Sequence, residues 1–279
     1  MSIRAFIGAR GGARPHRKLA SRLVGHYARA LLLPVSVQTQ TLRSVSRSLR
    51  GIQRGQKTTL PVAPWQHVLR AIPIAVVRPH KSAGGVSLAE LAVLSTAAAA
   101  LDHGTEIIEI GTLDGRTTIN FAVNAPERCR IFTLDLPAHT PVKFGHASDE
   151  RRYVDKLMPG RYFRNAAPEW QSACARIVQL LGDSAAFDWS PHYGRAGLVF
   201  VDGSHAYDAV LSDSDTALRL VTSQGIIIWH DYGVWDGVTR ALERLEATRH
   251  LGLRHVRGTT LVIWRADQNS PTSVSSSSP

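Results

Sequence analysis

Residues 106–118 have the sequence EIIEIGTLDGRTT, in which an apolar run leads directly into a turn bounded by two glycines. The isoleucines within residues 107–110 form the β-branched run that is typical of a strand buried on both faces. Gly111 and Gly115 bound the turn, and glycine allows a backbone to pass close to a ligand just before a helix begins. A buried strand, a glycine turn and a helix are the repeating unit of a parallel α/β sheet.

The same unit recurs along the rest of the chain. Short apolar runs alternate with stretches whose apolar residues return at helical spacing, which predicts parallel strands covered by helices on both faces. The further runs lie at residues 131–134, 177–181, 198–201 and 226–229. Two last runs, at 253–256 and 261–264, are joined by so short a connection that they must form an antiparallel hairpin. The predicted fold class is α/β: a doubly wound, mostly parallel, seven-stranded Rossmann-like sheet with an antiparallel C-terminal hairpin.

An acidic residue follows each predicted parallel strand. These residues are Asp114, Asp135, Asp183, Asp202 and Asp231. In doubly wound sheets, ligands bind at the carboxyl ends of the strands, near the point where the strand order reverses. A carboxylate at Asp135 can accept hydrogen bonds from ribose hydroxyls, although an ordinary turn acid fits its position equally well. The GxxxG spacing of the first turn differs from the GxGxxG of dinucleotide sites, which disfavours a nicotinamide enzyme.

Three stretches at these strand ends resemble motifs of one known family. They are residues 109–118 (EIGTLDGRTT), 200–207 (FVDGSHAY) and 225–233 (GIIIWHDYG). They are similar to class I S-adenosylmethionine-dependent methyltransferases, in particular to a bacterial small-molecule O-methyltransferase-like branch (methyltransferase family 24-like). The resemblance covers residues 83–265. It implies an enzyme that transfers a methyl group from S-adenosyl-L-methionine to a small-molecule acceptor, at a hydroxyl oxygen.

The resemblance also implies roles for individual residues in binding the cofactor. The implied cofactor site comprises Glu109, Gly111, Thr112, Gly115, Asp135, Asp183, Ser184 and Asp202. The glycine loop would surround the methionine part of S-adenosylmethionine, with Glu109 holding the loop. Asp135 would bind the ribose hydroxyls, and Asp183 and Ser184 would lie along the adenine.

Catalysis and metal binding are implied for a second, overlapping set. Asp202 would lie beside the transferred methyl group, and His205 would take the acceptor proton, which a neutral imidazole can do near pH 7. A structural histidine is the alternative for His205. Catechol-type relatives hold a divalent metal at positions that match Asp202, His230 and Asp231. A histidine here replaces a hard oxygen ligand, and Mg²⁺ prefers oxygen, so a metal and simple strand capping by His230 and Asp231 both stay open.

Charge is distributed very unevenly along the chain. Residues 1–89 contain 15 of the 33 lysines and arginines and none of the 22 acids, which leaves 18 basic and 22 acidic residues, a net charge of −4, for the remainder. This boundary predicts a basic, partly helical or disordered arm over residues 1–82, a methyltransferase domain over 83–266 and a disordered tail over 267–279. An organellar presequence, a clamp for nucleic acid or an anionic membrane, and a solvated extension are all consistent with the arm.

The chain has two cysteines without zinc-ligand spacing, which predicts a cytoplasmic protein. It has no apolar run of membrane-spanning length, which predicts that a transmembrane segment is absent. Import into an organelle is the alternative if residues 1–60 are a presequence. The long insertion at residues 138–170 is expected to form the acceptor pocket, and its basic and aromatic residues favour an anionic or sugar-like acceptor. A homo-oligomer is compatible with these features.

Two other functions compete with a small-molecule methyltransferase. The first is an RNA methyltransferase in which the basic arm clamps the nucleic acid, although the rest of the chain is net acidic. The second is a non-catalytic binding protein that retains the fold, against which the acids at every strand end argue.

Overall fold

The structure is a computed structural model that describes residues 58–80, 85–102, 104–145 and 159–269. The basic arm up to residue 57, residues 146–158 of the insertion and the tail from residue 270 lie outside the described residues. In the described part of the chain, no helix is long and apolar enough to cross a membrane.

Within the described residues, eight strands form one sheet. They are β1 (Val62–Ala63), β2 (Glu106–Ile110), β3 (Arg130–Asp135), β4 (Ile177–Leu181), β5 (Ala196–Val201), β6 (Val221–Trp229), β7 (Arg254–Val256) and β8 (Val262–Arg265). Their order across the sheet is β1-β7-β8-β6-β5-β2-β3-β4. Neighbours from β6 to β4 run parallel, whereas β8 is antiparallel to both β6 and β7. The predicted doubly wound sheet with its antiparallel C-terminal hairpin is confirmed.

Helices cover both faces of the sheet. They are α1 (Leu88–Ala99), α2 (Arg116–Asn124), α3 (Arg161–Arg164), α4 (Gln171–Cys174), α5 (Tyr207–Leu220) and α6 (Asp236–Arg249). On one face α1 and α2 contribute Leu91 and Phe121 to the core, and on the other α5 and α6 contribute Val210 and Leu242. Every residue of β2 and β5 is buried, which explains why β5 has no polar residue and why β2 is apolar apart from Glu106 and Glu109.

The sheet has one strand more than the sequence predicted. The extra strand, β1, is only two residues long and pairs in parallel with β7, so its sequence shows no strand period. Leu60 and Leu69, in a stretch expected to belong to the arm, are buried in the core. The Tyr232 hydroxyl accepts the backbone N–H groups of Thr59 and Leu60, each at 3.2 Å. The packed part of the chain therefore includes residues well before position 83.

A polar stripe on α2 holds the segment that leads towards α1. The amide of Asn120 accepts the N–H of Val77 at 2.8 Å and donates to its carbonyl oxygen at 2.9 Å. Asn124 makes the same pair of bonds with Ala75, both at 2.8 Å. One turn earlier, the buried guanidinium of Arg116 donates to the carbonyl oxygens of Arg78, Pro79 and Val86. Spacing of four residues places these side chains on one helix face, where they satisfy the backbone of the crossing segment.

Strand order reverses between β2 and β5. The chain continues from β2 outward to β3 and β4, then returns to β5 and continues to β6 on the other side. Gly111 follows β2 and Asp202 follows β5, so both lie at the switch point where doubly wound sheets bind their ligands.

Candidate active site at the carboxyl ends of the strands

The carboxyl ends of four neighbouring strands bring the predicted site residues together. β2 ends before Gly111, β3 ends at Asp135, β5 ends before Asp202 and β6 ends before His230. The N–H of Asp202 donates to the carbonyl oxygen of Ile110 at 2.8 Å, which fixes the two central strand ends against each other. The loops that follow these strands therefore share one edge of the sheet.

Gly111 is required by the contact between the two central strand ends. Its φ is 100°, a value that glycine adopts without strain. A Cβ atom at this position would lie 2.1 Å from the carbonyl oxygen of Asp202, far inside van der Waals contact. A side chain at position 111 would therefore push the end of β5 away from β2, and with it Asp202.

Gly115 packs against a part of the molecule that the sequence did not place there. A Cβ atom at Gly115 would lie 2.6 Å from the ring of Phe163 and 2.9 Å from the Cα of Gly160. Both residues belong to the insertion, which is fastened to the glycine loop where the N–H of Gly160 donates to the carbonyl oxygen of Leu113 at 2.9 Å. The insertion therefore covers the glycine loop, and the missing side chain at Gly115 accommodates Phe163.

Glu109 is connected to the glycine loop by a chain of hydroxyl groups. Its Oε2 accepts hydrogen bonds from Thr118 at 2.5 Å and from Thr133 at 2.6 Å, and the Thr133 hydroxyl lies 2.6 Å from that of Thr112. The side chain is fully buried, and Oε1 has no hydrogen-bond partner among the described residues. Burial raises the pKa of Glu109 to about 8 against the lowering effect of the hydroxyl donors, with a further rise from the charge of Asp202. The carboxyl group is therefore mostly neutral at pH 7.

Asp135 ties the glycine loop to the end of β3. Its Oδ2 accepts the N–H of Leu113 at 2.6 Å, and its Oδ1 accepts that of Leu136 at 2.7 Å. Burial raises the pKa of Asp135 to about 6, although these backbone donors lower it. Each carboxylate oxygen has a second lone-pair position, so the group has the capacity to accept hydroxyl donors as well.

Asp183 and Ser184 follow β4 in a turn beside the end of β3. The N–H of Gly182 donates to the carbonyl oxygen of Asp135 at 2.9 Å, which brings this turn next to the site. Asp183 Oδ2 accepts the N–H of Lys143 at 2.7 Å and so fastens the insertion to the turn. Their expected position along an adenine ring stays a prediction.

His230 is surrounded by three carboxylates. Its Nδ1 lies 3.0 Å from Asp202 Oδ1 and 3.4 Å from Asp231 Oδ1, while its Nε2 lies 3.4 Å from Glu90 Oε2. Burial lowers the pKa of His230, but the three carboxylates raise it well above its usual value, which favours the protonated ring. A protonated imidazole has no lone pair to offer a metal, so His230 would bind one only after losing that proton, and its role as a ligand stays a prediction.

The three carboxylates around His230 respond to it differently. Burial raises the pKa of each of them, and attraction to His230 opposes that rise. The attraction prevails at Glu90 and Asp231, whose pKa values fall below the usual range. Burial prevails at Asp202, whose pKa is raised. Asp202 therefore binds a proton more readily than the other two.

His205 is held in place from two sides. Its Nε2 lies 2.9 Å from Asp231 Oδ2. Its ring is stacked on Trp235 with the ring centroids 4.5 Å apart and an interplanar angle of 10°. The side chain is 14% exposed, so it is close to the surface of the site without being freely solvated. An oriented imidazole with a carboxylate partner is the arrangement that a general base requires.

Among the described residues, His205 lies in a cluster whose geometry is compatible with a metal ion. One ligand atom from each of Asp202, His205 and Asp231 lies within 4.8 Å of the others. Two carboxylates and one imidazole suit borderline cations such as Mn²⁺ or Zn²⁺ better than Mg²⁺, which prefers oxygen ligands. This cluster shares Asp202 and Asp231 with the predicted metal set of Asp202, His230 and Asp231, and both sets stay predictions.

Sequence reasoning missed three residues that shape the site. Glu90 was visible only as part of a capping pattern, Ser87-x-x-Glu90, and its contact with His230 depends on the fold. Trp235 carried no signal beyond its proximity to Asp231 in sequence. Phe163 lay in an insertion whose docking on the glycine loop has no local sequence signature.

A family model described as a methyltransferase domain matches residues 108–232 of the chain. The matched range begins in β2 and ends just after Asp231, so it includes every loop of the site. The match confirms the resemblance that the sequence motifs indicated. A search of curated proteins found no match.

Several solved structures resemble this chain in fold. The O-methyltransferase NovP is 14% identical, with a TM-score of 0.47 over 64% of this chain and 80% of that one. An O-methyltransferase from Bacillus cereus, in complex with SAH, is 19% identical, with a TM-score of 0.45 over 66% and 84% of the two chains. The O-methyltransferase TomG from Streptomyces achromogenes, in complex with SAM, is 20% identical, with a TM-score of 0.43 over 65% and 81%. Likenesses at this level assign neither a substrate nor a residue role.

Proposed function

We propose that this chain is an S-adenosylmethionine-dependent methyltransferase that acts on a hydroxyl oxygen of a small-molecule acceptor. The observation that carries the proposal is the pairing of His205 Nε2 with Asp231 Oδ2 at 2.9 Å, beside Asp202, at the switch point of the sheet. The methyltransferase-domain match over residues 108–232 supports the same reaction class. The three-residue cluster supplies a base and acids where an acceptor and a methyl donor would meet.

The electrostatics of the strand ends suit a cationic methyl donor. S-adenosylmethionine carries its reactive methyl group on a positively charged sulfonium and releases it by in-line displacement. Asp135 and Asp202 lie at the ends of β3 and β5, the two strands that flank β2, and the charge of each contributes to the raised pKa of Glu109. Carboxylates in a partly desolvated site attract a sulfonium more strongly than they would in water.

Individual residues of the cofactor site are assigned on the same basis. Asp135 would accept the ribose hydroxyls with the lone pairs that its backbone donors leave available. The loop from Gly111 to Gly115 would enclose the methionine part of S-adenosylmethionine. Thr112 in this loop is hydrogen-bonded to Thr133, which in turn donates to Glu109. Asp183 and Ser184 would border the adenine.

His205 would remove the acceptor proton. Its hydrogen bond with Asp231 stabilises the imidazolium that forms when the ring takes a proton, and stacking on Trp235 fixes the ring plane. Asp202 would lie beside the acceptor oxygen and help to orient it. The protein therefore contributes alignment and proton removal, which are its usual tasks when a cofactor supplies the reactive group.

Asp202, His205 and Asp231 would also be the ligands of a divalent cation if the enzyme uses one. Bound there, a cation would lower the pKa of the acceptor hydroxyl. His205 would then be a ligand, and the proton would leave to another group. Activity with and without EDTA, followed by Mn²⁺, Zn²⁺ or Mg²⁺, separates these two versions of the site.

The test is a methyl-transfer screen with S-adenosylmethionine and a panel of hydroxylated small molecules. For an acceptor identified in the screen, we expect His205→Gln to lower kcat by about a hundredfold, within the range for loss of a general base. His67→Gln, at an exposed histidine outside the site, is the matched control and should leave kcat unchanged. Equal rates for wild type and His205→Gln would overturn the assignment of the base.

A further inference from the structure

Glu90 lies on α1, outside every strand-end loop, yet its side chain is in contact with the candidate active site. It is the third residue of the helix and is only 4% exposed. Its Oε2 accepts the N–H of Ser87 at 2.7 Å, and the Ser87 hydroxyl accepts the N–H of Glu90 at 3.3 Å, which completes a capping box. A glutamate that only caps a helix has no need of burial, because ionised carboxylates are rarely buried unless they are paired. The remaining contacts of Glu90 therefore need a separate explanation.

The first of these contacts runs through His230. Glu90 Oε2 lies 3.4 Å from His230 Nε2, and the opposite ring nitrogen lies 3.0 Å from Asp202 Oδ1. An imidazole ring with a carboxylate close to each nitrogen cannot rotate without lengthening one of the two contacts. Glu90 therefore fixes the ring plane of His230, and the ring in turn fixes the carboxylate of Asp202.

The second contact runs through Thr260, in the loop between β7 and β8. Glu90 Oε1 accepts both the N–H and the hydroxyl of Thr260, each at 2.8 Å. Because the hydroxyl proton points at Glu90, the oxygen lone pairs of Thr260 are oriented to accept the N–H of Asp231 at 3.2 Å. Asp231 has a φ of 67°, a left-handed value that costs free energy for a residue other than glycine. The bond from Thr260 helps to hold this backbone, and with it the direction of the Asp231 side chain.

Both routes end at the groups proposed to act on the acceptor. The first reaches Asp202, and the second reaches Asp231, whose Oδ2 holds His205 at 2.9 Å. We propose that Glu90 is a positioning residue that orients Asp202 through His230 and orients Asp231 and His205 through Thr260. This inference depends on the proposed function of that site. Glu90 has no contact with the acceptor or the methyl donor in this scheme, so it is not a catalytic residue.

Three substitutions separate the two routes from the helix cap. Glu90→Gln places an amide N–H₂ opposite His230 Nε2 and the Ser87 N–H, which breaks the first route and one bond of the capping box, while its carbonyl oxygen can still accept from Thr260. Thr260→Val removes the acceptor of the Asp231 N–H and leaves the Glu90–His230 contact. Ser87→Ala removes one bond of the capping box and leaves both routes intact. It is the matched control for the stability of α1, and a fall in Tm of a few degrees is expected for it.

The test compares the four proteins in crystal structures, in calorimetric binding of S-adenosylhomocysteine, and in kcat and KM for an acceptor found by the screen. We expect Glu90→Gln to rotate the His230 ring and to lower kcat about tenfold or more, with unchanged KM and cofactor affinity, as for other partners that orient reacting groups. Thr260→Val should displace Asp231 and lower kcat similarly. Ser87→Ala should lower only the Tm.

Two results would overturn the inference. The first is unchanged orientation of His230 and Asp231 in the Glu90→Gln and Thr260→Val structures. The second is a kcat for both variants equal to that of Ser87→Ala. Failure of the proposed function has a different signature, because wild-type protein would then bind no S-adenosylhomocysteine, and the role of Glu90 in methyl transfer would fall with it.

Discussion

Strand β2 carries two buried glutamates three residues apart, and their surroundings are opposite. Glu106, at the amino end of the strand, lies 2.8 Å from His192 Nδ1 and 3.0 Å from Arg195 Nε. Glu109, near the carboxyl end, has only hydroxyl donors, an oxygen without a partner among the described residues, and the negative charge of Asp202 nearby. The same residue type in the same strand is paired with a guanidinium and an imidazole at one end and placed among acids at the other.

The difference distinguishes a structural end of the sheet from a functional one. A buried carboxylate that is paired with cations contributes to the folded state with little further consequence. A buried acid without a cationic partner, such as Glu109, is unfavourable in the free protein, and such groups concentrate at sites that bind a ligand of opposite charge or move a proton. The carboxyl end of the sheet therefore has the electrostatics of a site, and the amino end does not.

The largest expected effect is on Asp202. Asp202→Asn keeps the shape of the side chain and removes its charge beside the proposed methyl and acceptor position. We expect kcat to fall by about a hundredfold or more, as for loss of one electrostatic group in an active site. Steady-state kinetics with the acceptor from the screen measure this effect. A kcat within twofold of wild type would mean that the carboxyl end is not the reactive end of the sheet.

A smaller effect of a different kind is expected for Glu106. Glu106→Gln weakens the contacts with His192 and Arg195. Because the Arg195 side chain is 63% exposed, solvent screens its charge, and we expect the free energy of unfolding to fall by only about 1–2 kcal/mol. Thermal denaturation should show a Tm lower by several degrees. Affinity for S-adenosylhomocysteine should be unchanged at temperatures where the protein is folded. Weaker cofactor binding in this variant would contradict the division between the two ends.

A third expected effect, specific to pH, is a change in the pH dependence of stability at Glu109. Its pKa is about 8 in the folded protein and near its ordinary value of 4.5 in the unfolded chain. The folded state therefore binds the extra proton between these values, so this group stabilises the fold at low pH and loses that contribution as the pH rises towards 8. Glutamine does not titrate, so Glu109→Gln does not lose stability in this way as the pH rises. The difference in Tm between the variant and wild type should therefore shift in favour of the variant by several degrees from pH 5 to pH 8. Parallel curves of Tm against pH would show that Glu109 is not buried as described.

Much of the fold and part of the site could be predicted because their signals are local in sequence. Strands β2 to β6 appear in the sequence as apolar runs. The end of each run marks the end of a strand, so the acids that follow the strands, among them Asp135, Asp202 and Asp231, could be identified from the sequence. The antiparallel hairpin followed from the short connection around Gly258. β1 was missed because two residues cannot show a strand period.

The remaining features depend on contacts between distant parts of the chain. Glu90 and Thr260 are separated by 170 positions, and only the folded sheet brings them together. His230 was expected as a ligand because its position matches a ligand position of catechol-type relatives, whereas its contact with the buried Glu90 could not be seen in the sequence. The polar stripe on α2 is an exception, because its pattern is local in sequence. Arg116, Asn120 and Asn124 are spaced four residues apart, and this spacing could have indicated that another segment of the chain packs against that face of the helix.

The central claim is that the acids at the carboxyl end of the sheet bind the methyl donor, and calorimetric titration of S-adenosylhomocysteine tests it most directly. We expect wild-type protein to bind in the micromolar range and Asp135→Ala to bind about a hundredfold more weakly, as loss of two hydrogen bonds to a charged acceptor implies. Asp188→Ala, at a fully exposed turn acid after β4, is the control and should bind like wild type. Absence of binding to the wild type, or equal affinity in Asp135→Ala, would contradict the account.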